Sequence, residues 1–134
     1  MYRRLTHIGI AVKALAASGP LFSRLFNTKA DHLEEVADQK VRAMFFRIGE
    51  GGIELLEPTS PESPIAKFIE KRGEGVHHLS FEVDDIEHEI ARLTAEGFEM
   101  IDKQPRIGAD GYRIAFLHPK STNSVLIEIS QKRP

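Results

Sequence analysis

Gly75-Val76-His77-His78-Leu79-Ser80-Phe81-Glu82-Val83-Asp84-Asp85-Ile86 reads as a strand running into a helix start, and the chain carries a near-copy of it. The copy is Leu5-Thr6-His7-Ile8-Gly9-Ile10-Ala11-Val12-Lys13-Ala14-Leu15. An offset of 71 residues, from His7 to His78, also pairs Ile8 with Leu79, Ile10 with Phe81, Val12 with Val83 and Leu15 with Ile86. The same offset matches Arg42 with Arg113, Phe45 with Phe116 and Phe46 with Leu117. A match sustained over that distance marks a duplicated unit rather than one coincidence.

Alternation in Leu5 to Val12 separates two strand faces. His7, Gly9 and Ala11 point one way, toward something open; Ile8, Ile10 and Val12 point the other way, under a helix. That helix is expected over Leu15 to Phe26, with Leu15, Phe22, Leu25 and Phe26 as its apolar stripe. Gly19-Pro20 within it predicts either a start at Ser18 or a kink, because proline removes a helical donor. Lys29 to Val36 is a weak polar strand, and Arg42 to Ile48 and Gly51 to Glu57 are strands around a Glu50-Gly51-Gly52 turn. Pro58 to Pro64 is a Pro/Ser-rich linker, followed by a short helix over Ile65 to Arg72. The second half repeats the plan: a strand over Val76 to Val83 and a helix over Ile86 to Glu96, capped by Asp84 or Asp85. Strands over Phe98 to Asp102, Tyr112 to Leu117 and Val125 to Ser130 follow, with Gln104 to Gly111 as a loop. Each half is therefore strand, helix and three strands, an α+β plan.

The chain has 134 residues, 41% hydrophobic and 28% charged, with a net charge of −2. One domain of ordinary globular composition is expected, with module one over 4–57, a linker and short helix over 58–74, and module two over 75–131. The charge gives no case for nucleic acid or an anionic membrane. Zero cysteines exclude disulfides, thiolate metal sites and cysteine nucleophiles. No apolar run approaches the ~20 residues of a membrane span. Met1 lies a few residues before the first strand, so no signal peptide is expected and the cytoplasm is the default.

Glu54, within Ile53-Glu54-Leu55, faces away from its apolar neighbours, and so does Glu128 within Ile127-Glu128-Ile129. The two correspond at an offset of 74, the second turn being three residues longer. A carboxylate in a β-branched run costs several kcal/mol if buried unpaired, so it calls for a partner. His7, Glu54, His78 and Glu128, at equivalent places in two halves, are the expected ligands of one divalent metal ion. Co, Mn, Zn and Ni all suit imidazole and carboxylate. Alternation assigns His78 to the ligand face and leaves His77 to packing or to supporting the ligands from behind. Arg113, Lys120 and Ser121 are candidate contacts for anionic substrate groups.

In its plan and His/Glu pattern the chain resembles the vicinal oxygen chelate (glyoxalase/bleomycin resistance-like) superfamily, and within it the methylmalonyl-CoA epimerase family. The resemblance is carried by His7 to Val12, Ile53 to Pro58, Ser63 to Gly75, His77 to Ile86 and Pro105 to Glu128, nearly the whole chain. Ser63-Pro64-Ile65-Ala66-Lys67-Phe68 and Phe116-Leu117-His118-Pro119-Lys120-Ser121-Thr122 are its most specific segments. Departures include Phe22 and Phe26-Asn27 at the end of the first helix, Asn123-Ser124 for a Gly-Gly, and Asp38-Gln39-Lys40-Val41 for Asp/Glu-Gln-Gly-Val.

The resemblance implies two tandem βαβββ modules forming a cupped, curved mixed sheet with helices outside. It also implies a metal-dependent epimerase that interconverts the (R) and (S) forms of methylmalonyl-CoA. The reaction would proceed by proton abstraction at C2 through a metal-stabilised enolate, in propionate metabolism. Glu128 would be both ligand and base, Asp38 the nearest acidic match for the second base, cobalt the favoured metal and a homodimer the assembly. Two alternatives remain open on the same scaffold. One is a different enzyme, lactoylglutathione lyase-like or another acyl-CoA epimerase; the other is a metal-free small-molecule binding or resistance protein.

Overall fold

The structure, a computed structural model, describes residues 1–133. Its elements are β1 (Tyr2–Ala11), α1 (Leu15–Phe26), β2 (His32–Val36), β3 (Val41–Ile48), β4 (Gly51–Pro58), α2 (Pro64–Arg72), β5 (Gly75–Val83), α3 (Ile86–Ala95), β6 (Arg106–Ile107), β7 (Arg113–Leu117) and β8 (Ile127–Gln131). Two compact units arise from them: residues 8–77, and residues 1–7 together with the chain from His78 onward. Strand β1 begins in one unit and ends in the other. Among the described residues no helix is long and apolar enough to cross a membrane.

In the unit of residues 8–77 the strand order is β2-β3-β4-β1. Strand β1 runs parallel to β4, and the other neighbours are antiparallel. One face carries Val12, Phe46 and Leu55 with Leu15 of α1, flanked by Phe22, Phe26, Met44 and Ile53. Helix α1 starts at Leu15, whose N–H donates to Glu57 Oε1 at 2.7 Å, so a side chain from β4 satisfies a first-turn donor. Pro20 remains inside the helix. Next to it Gly19 allows close packing: a Cβ there would meet Met44 Sδ at 3.1 Å. Asn27, left-handed at φ 54, ends the helix, since asparagine tolerates that conformation.

The opposite face holds Ala11, Val41, Ala43 and Leu56, and α2 lies on it through Ile65, Phe68 and Ile69. Ser63 caps α2 by accepting the Ile65 N–H at 3.1 Å, with Pro64 in the first turn. Ile65 is 3% exposed, and burial of such a side chain contributes about 1.5–3 kcal/mol.

In the other unit the order is β1-β5-β8-β7-β6, with β5 parallel to β8, and with β7 antiparallel to both β8 and β6. Helix α3 covers one face through Ile86, Ile90 and Leu93, against Val83, Ala115, Leu117 and Ile129. Asp85 caps it, accepting the His88 N–H at 3.1 Å. Buried Glu89 on its first turn accepts from Arg92 Nε and Nη2 at 2.9 and 2.7 Å.

The strand expected over Phe98 to Asp102 reduces to one bridge, Met100 with Leu117. Asp102 explains the loss of a ladder. Its carboxylate accepts the Phe116 N–H at 2.8 Å, taking the place of a strand carbonyl. The first of the three strands after α3 is instead β6, in the stretch expected to be a loop.

Candidate metal centre

Each module places its glutamate by the same register. Glu54 is the Cα partner of Gly9, two residues beyond His7. Glu128 is the partner of Ser80, two residues beyond His78. Side chains two apart on a strand share a face, so each glutamate belongs to the face of its module's histidine. The neighbouring strand repeats the relationship, with Phe45 opposite Glu54 and Phe116 opposite Glu128. The phenylalanines differ by the same 71 residues as the histidines.

In the unit containing residues 1–7, three of the four side chains come together. His7 Nε2 lies 2.9 Å from His78 Nε2, the rings being edge to face at 86°. His7 Nε2 is also 3.6 Å from Glu128 Oε1. Thr6 holds this end of β1 in place by donating from Oγ1 to the Ser80 carbonyl at 3.0 Å. Phe116 meets the His78 ring edge-on at 5.7 Å. His78 and Glu128 are buried, at 4% and 6% exposure, and Glu54 on its own strand is buried at 8%. Burial lowers the His7 pKa, with the Glu128 charge pulling part of the way back. A neutral imidazole is the form that ligates metal.

These donors fit a divalent ion. Two ligand atoms bound at ~2.1 Å and at right angles are about 3.0 Å apart, close to the imidazole separation seen here. Ser80 adds a second sign: its hydroxyl is fully buried on the Glu128 row and has no hydrogen-bond partner. A buried polar atom left so costs free energy, and it stands where a loaded centre would bring polar groups.

The other sequence candidates fall elsewhere. His77 packs edge-on against Phe68 at 4.9 Å, and burial pushes its pKa down to about 4. Asp38 lies exposed on a short helical turn, Ala37–Gln39, between β2 and β3. Arg113 is on the face opposite Glu128, since it pairs with Gln131 rather than with the even-numbered row, and it bridges to Glu87 of α3 at 3.2 Å. Lys120 is bound to Glu99 at 2.9 Å, and Ser121 accepts the Glu99 N–H at 2.9 Å. Both are thus engaged in fixing a loop. Two charged residues on the His/Glu faces were not anticipated. Glu34 pairs with Ala43 of β3, in turn opposite Leu56, and Arg106 pairs with Ile114, in turn opposite Ser130.

Paired modules with a histidine and a glutamate on one face of each define a class. Residues 6–116 match the model of the Glyoxalase/Bleomycin resistance protein/Dioxygenase superfamily, and the chain belongs to it. The solved structure of the hypothetical protein BH1468 from Bacillus halodurans superposes with a TM-score of 0.95 at 45% identity, covering 98% of this chain and 95% of that one.

Within the superfamily the chain is a member of the methylmalonyl-CoA epimerase family. It is 38% identical over 130 residues to the mitochondrial methylmalonyl-CoA epimerase of Dictyostelium discoideum, covering 96% of this chain and 78% of that protein. A variant of Streptomyces coelicolor methylmalonyl-CoA epimerase, in complex with 2-nitronate-propionyl-CoA, superposes with a TM-score of 0.94 at 34% identity. That alignment covers 98% of this chain and 96% of the other. The fold is thus the glyoxalase-like fold that the resemblance implied.

Proposed function

We propose that this chain epimerises methylmalonyl-CoA at C2, with His7, Glu54, His78 and Glu128 holding one divalent metal ion. The observation that carries the reading is the repeated register, which puts a buried glutamate beside each module's histidine strand on the histidine's face. Family membership supports the reaction and the substrate. Cobalt is favoured among Co, Mn, Zn and Ni by family resemblance, since the donor types suit all four.

C2 of methylmalonyl-CoA lies between a thioester carbonyl and a carboxylate, and inversion removes its proton from one side and returns one to the other. A bound divalent ion would supply Lewis acidity toward the oxygens on which charge develops. The chain's own groups move the protons and exclude water. Glu128 is assigned the proton on one side, as a carboxylate fixed on β8 among buried neighbours.

Two acids compete for the other side. Asp38 is the one favoured by family resemblance, but it sits on an exposed turn past the end of β2. Glu34 is favoured by register, since it lies on the same face as Glu54 across the small Ala43. We take Glu34 as the stronger assignment, because a base must share the face where the substrate lies.

The same reading includes a single domain over 1–134, as length and composition suggest, a cytoplasmic location, and, from the resemblance, a homodimer and a place in propionate metabolism. The reaction is tested by deuterium wash-in at C2 of methylmalonyl-CoA in heavy water. Metal-dependent incorporation with inversion is the expected result, and no exchange above background would sink the assignment.

A further inference from the structure

We propose that Arg106 receives the free carboxylate of the acyl group, and so makes the centre selective for malonyl-type over simple acyl thioesters. The assignment rests on the epimerase reading above.

Register gives its place. Arg106 pairs with Ile114, which pairs with Ser130, two residues beyond Glu128 on β8. Arg106 is therefore on the Glu128 face of its module. The guanidinium is also held there by contact: its Cζ lies 5.7 Å from the centre of the Phe116 ring, and its Nε donates to Asp102 Oδ1 at 3.0 Å. Phe116 is the strand partner of Glu128 and the edge-on neighbour of His78. One aromatic ring thus separates the guanidinium from two of the proposed ligands. Asp102 is itself fixed by the Phe116 N–H at 2.8 Å, so the arginine is tethered to a rigid point of β7.

Chemistry supplies the occupant. A guanidinium has five N–H donors, and the Nε bond to Asp102 uses one, leaving the two amino groups that make a fork suited to a carboxylate. Of the groups on a malonyl thioester, only the carboxylate is a planar anion adjacent to the reacting carbon.

Module one shows that this charge is particular to its place. The offset of 71 pairs Ile114 with Ala43, and the residue opposite Ala43 is Glu34. The two modules match in histidine, glutamate and phenylalanine yet carry opposite charges at this position. A substrate with one anionic end and one proton to lose has use for that asymmetry.

The test compares binding of malonyl-CoA and propionyl-CoA by titration calorimetry, to wild-type and Arg106→Met protein loaded with the same divalent ion. Wild type should favour malonyl-CoA. The variant should bind malonyl-CoA at least about tenfold more weakly, the scale of a lost charge-assisted pair, with propionyl-CoA changed less than about twofold. Arg106→Lys, which keeps the charge without the fork, should fall between them. Equal losses for both ligands would assign Arg106 to the CoA portion or to folding and overturn the proposal; no loss for either would overturn it too. Wild type binding both equally overturns this assignment alone, whereas wild type binding neither overturns the acyl-CoA reading beneath it.

Discussion

His7 and His78 face each other Nε2 to Nε2 at 2.9 Å, although 71 residues separate them in the chain. Two imidazole nitrogens at that distance share either a proton or a metal ion. With the Glu128 oxygen 3.6 Å from the same nitrogen, the metal is the expected occupant. Purified protein should carry about one removable divalent ion per chain, measured by elemental analysis before and after dialysis against a chelator. His7→Ala and His78→Ala should each weaken metal binding beyond the roughly 10–100-fold cost of an outer-shell change. His77→Ala should leave the stoichiometry intact.

Glu128→Gln keeps the shape of the side chain and removes its basicity. Deuterium incorporation at C2 should fall by about 10²–10⁴-fold for the epimer whose proton Glu128 takes, the usual worth of a positioned general base. Proton NMR of methylmalonyl-CoA in heavy water reads this directly. A variant that still exchanges at the wild-type rate while holding metal would remove Glu128 from proton transfer.

Loss of the second base has a distinct signature. Glu34→Gln should slow inversion by about 10²-fold while exchange with retention persists for one epimer, because one side of C2 keeps its base. Asp38→Asn should leave both rates near wild type. The reverse pattern would transfer the role to the turn after β2.

Ser63 is fully buried, and its hydroxyl caps the helix that covers part of the Glu54 face. Ser63→Ala should cost about 1 kcal/mol, seen as a lower urea midpoint at unchanged slope. Because Ile65 and its neighbours shield Ala43 and Leu56, the same variant tests how far helix docking governs the Glu34 side of the face.

Glu89 makes stability depend on acidity. The Arg92 guanidinium, through its two hydrogen bonds, holds the Glu89 carboxyl below its usual pKa. A group depressed in the folded state favours folding above its unfolded pKa, about 4.3 for glutamate, and that contribution fades as pH falls through the lower folded value. Thermal melts of wild type and Glu89→Gln should therefore differ near neutral pH and converge in acid.

The duplication was legible in the sequence because both histidine strands alternate cleanly, and apolar alternation alone gave the face of each glutamate. It also carried enough to place Arg113: Phe116 shares a strand with it at odd spacing, so the two point oppositely. Arg106 was hidden because its strand is two residues long and lies in a stretch of glycine, proline and charge that reads as loop. What pairs it is Asp102, a side chain that occupies a backbone position on β7, and no periodicity records such a substitution. Pro20 misled in a simpler way. A donor lost inside α1 is tolerated because Glu57 secures the first turn and Gly19 lets the helix settle on Met44.

Strand β1 belongs to both compact units, residues 1–7 to one and 8 onward to the other. The linker at 59–63 therefore joins two sequence modules without being a place where the molecule can be divided. A polypeptide starting at residue 75 would lack the strand beside β5, and the backbone N–H and C=O groups of that edge would stand open. Such a fragment should be sticky and require the missing strand in trans, so split reporters and circular permutants are best opened elsewhere than between the repeats.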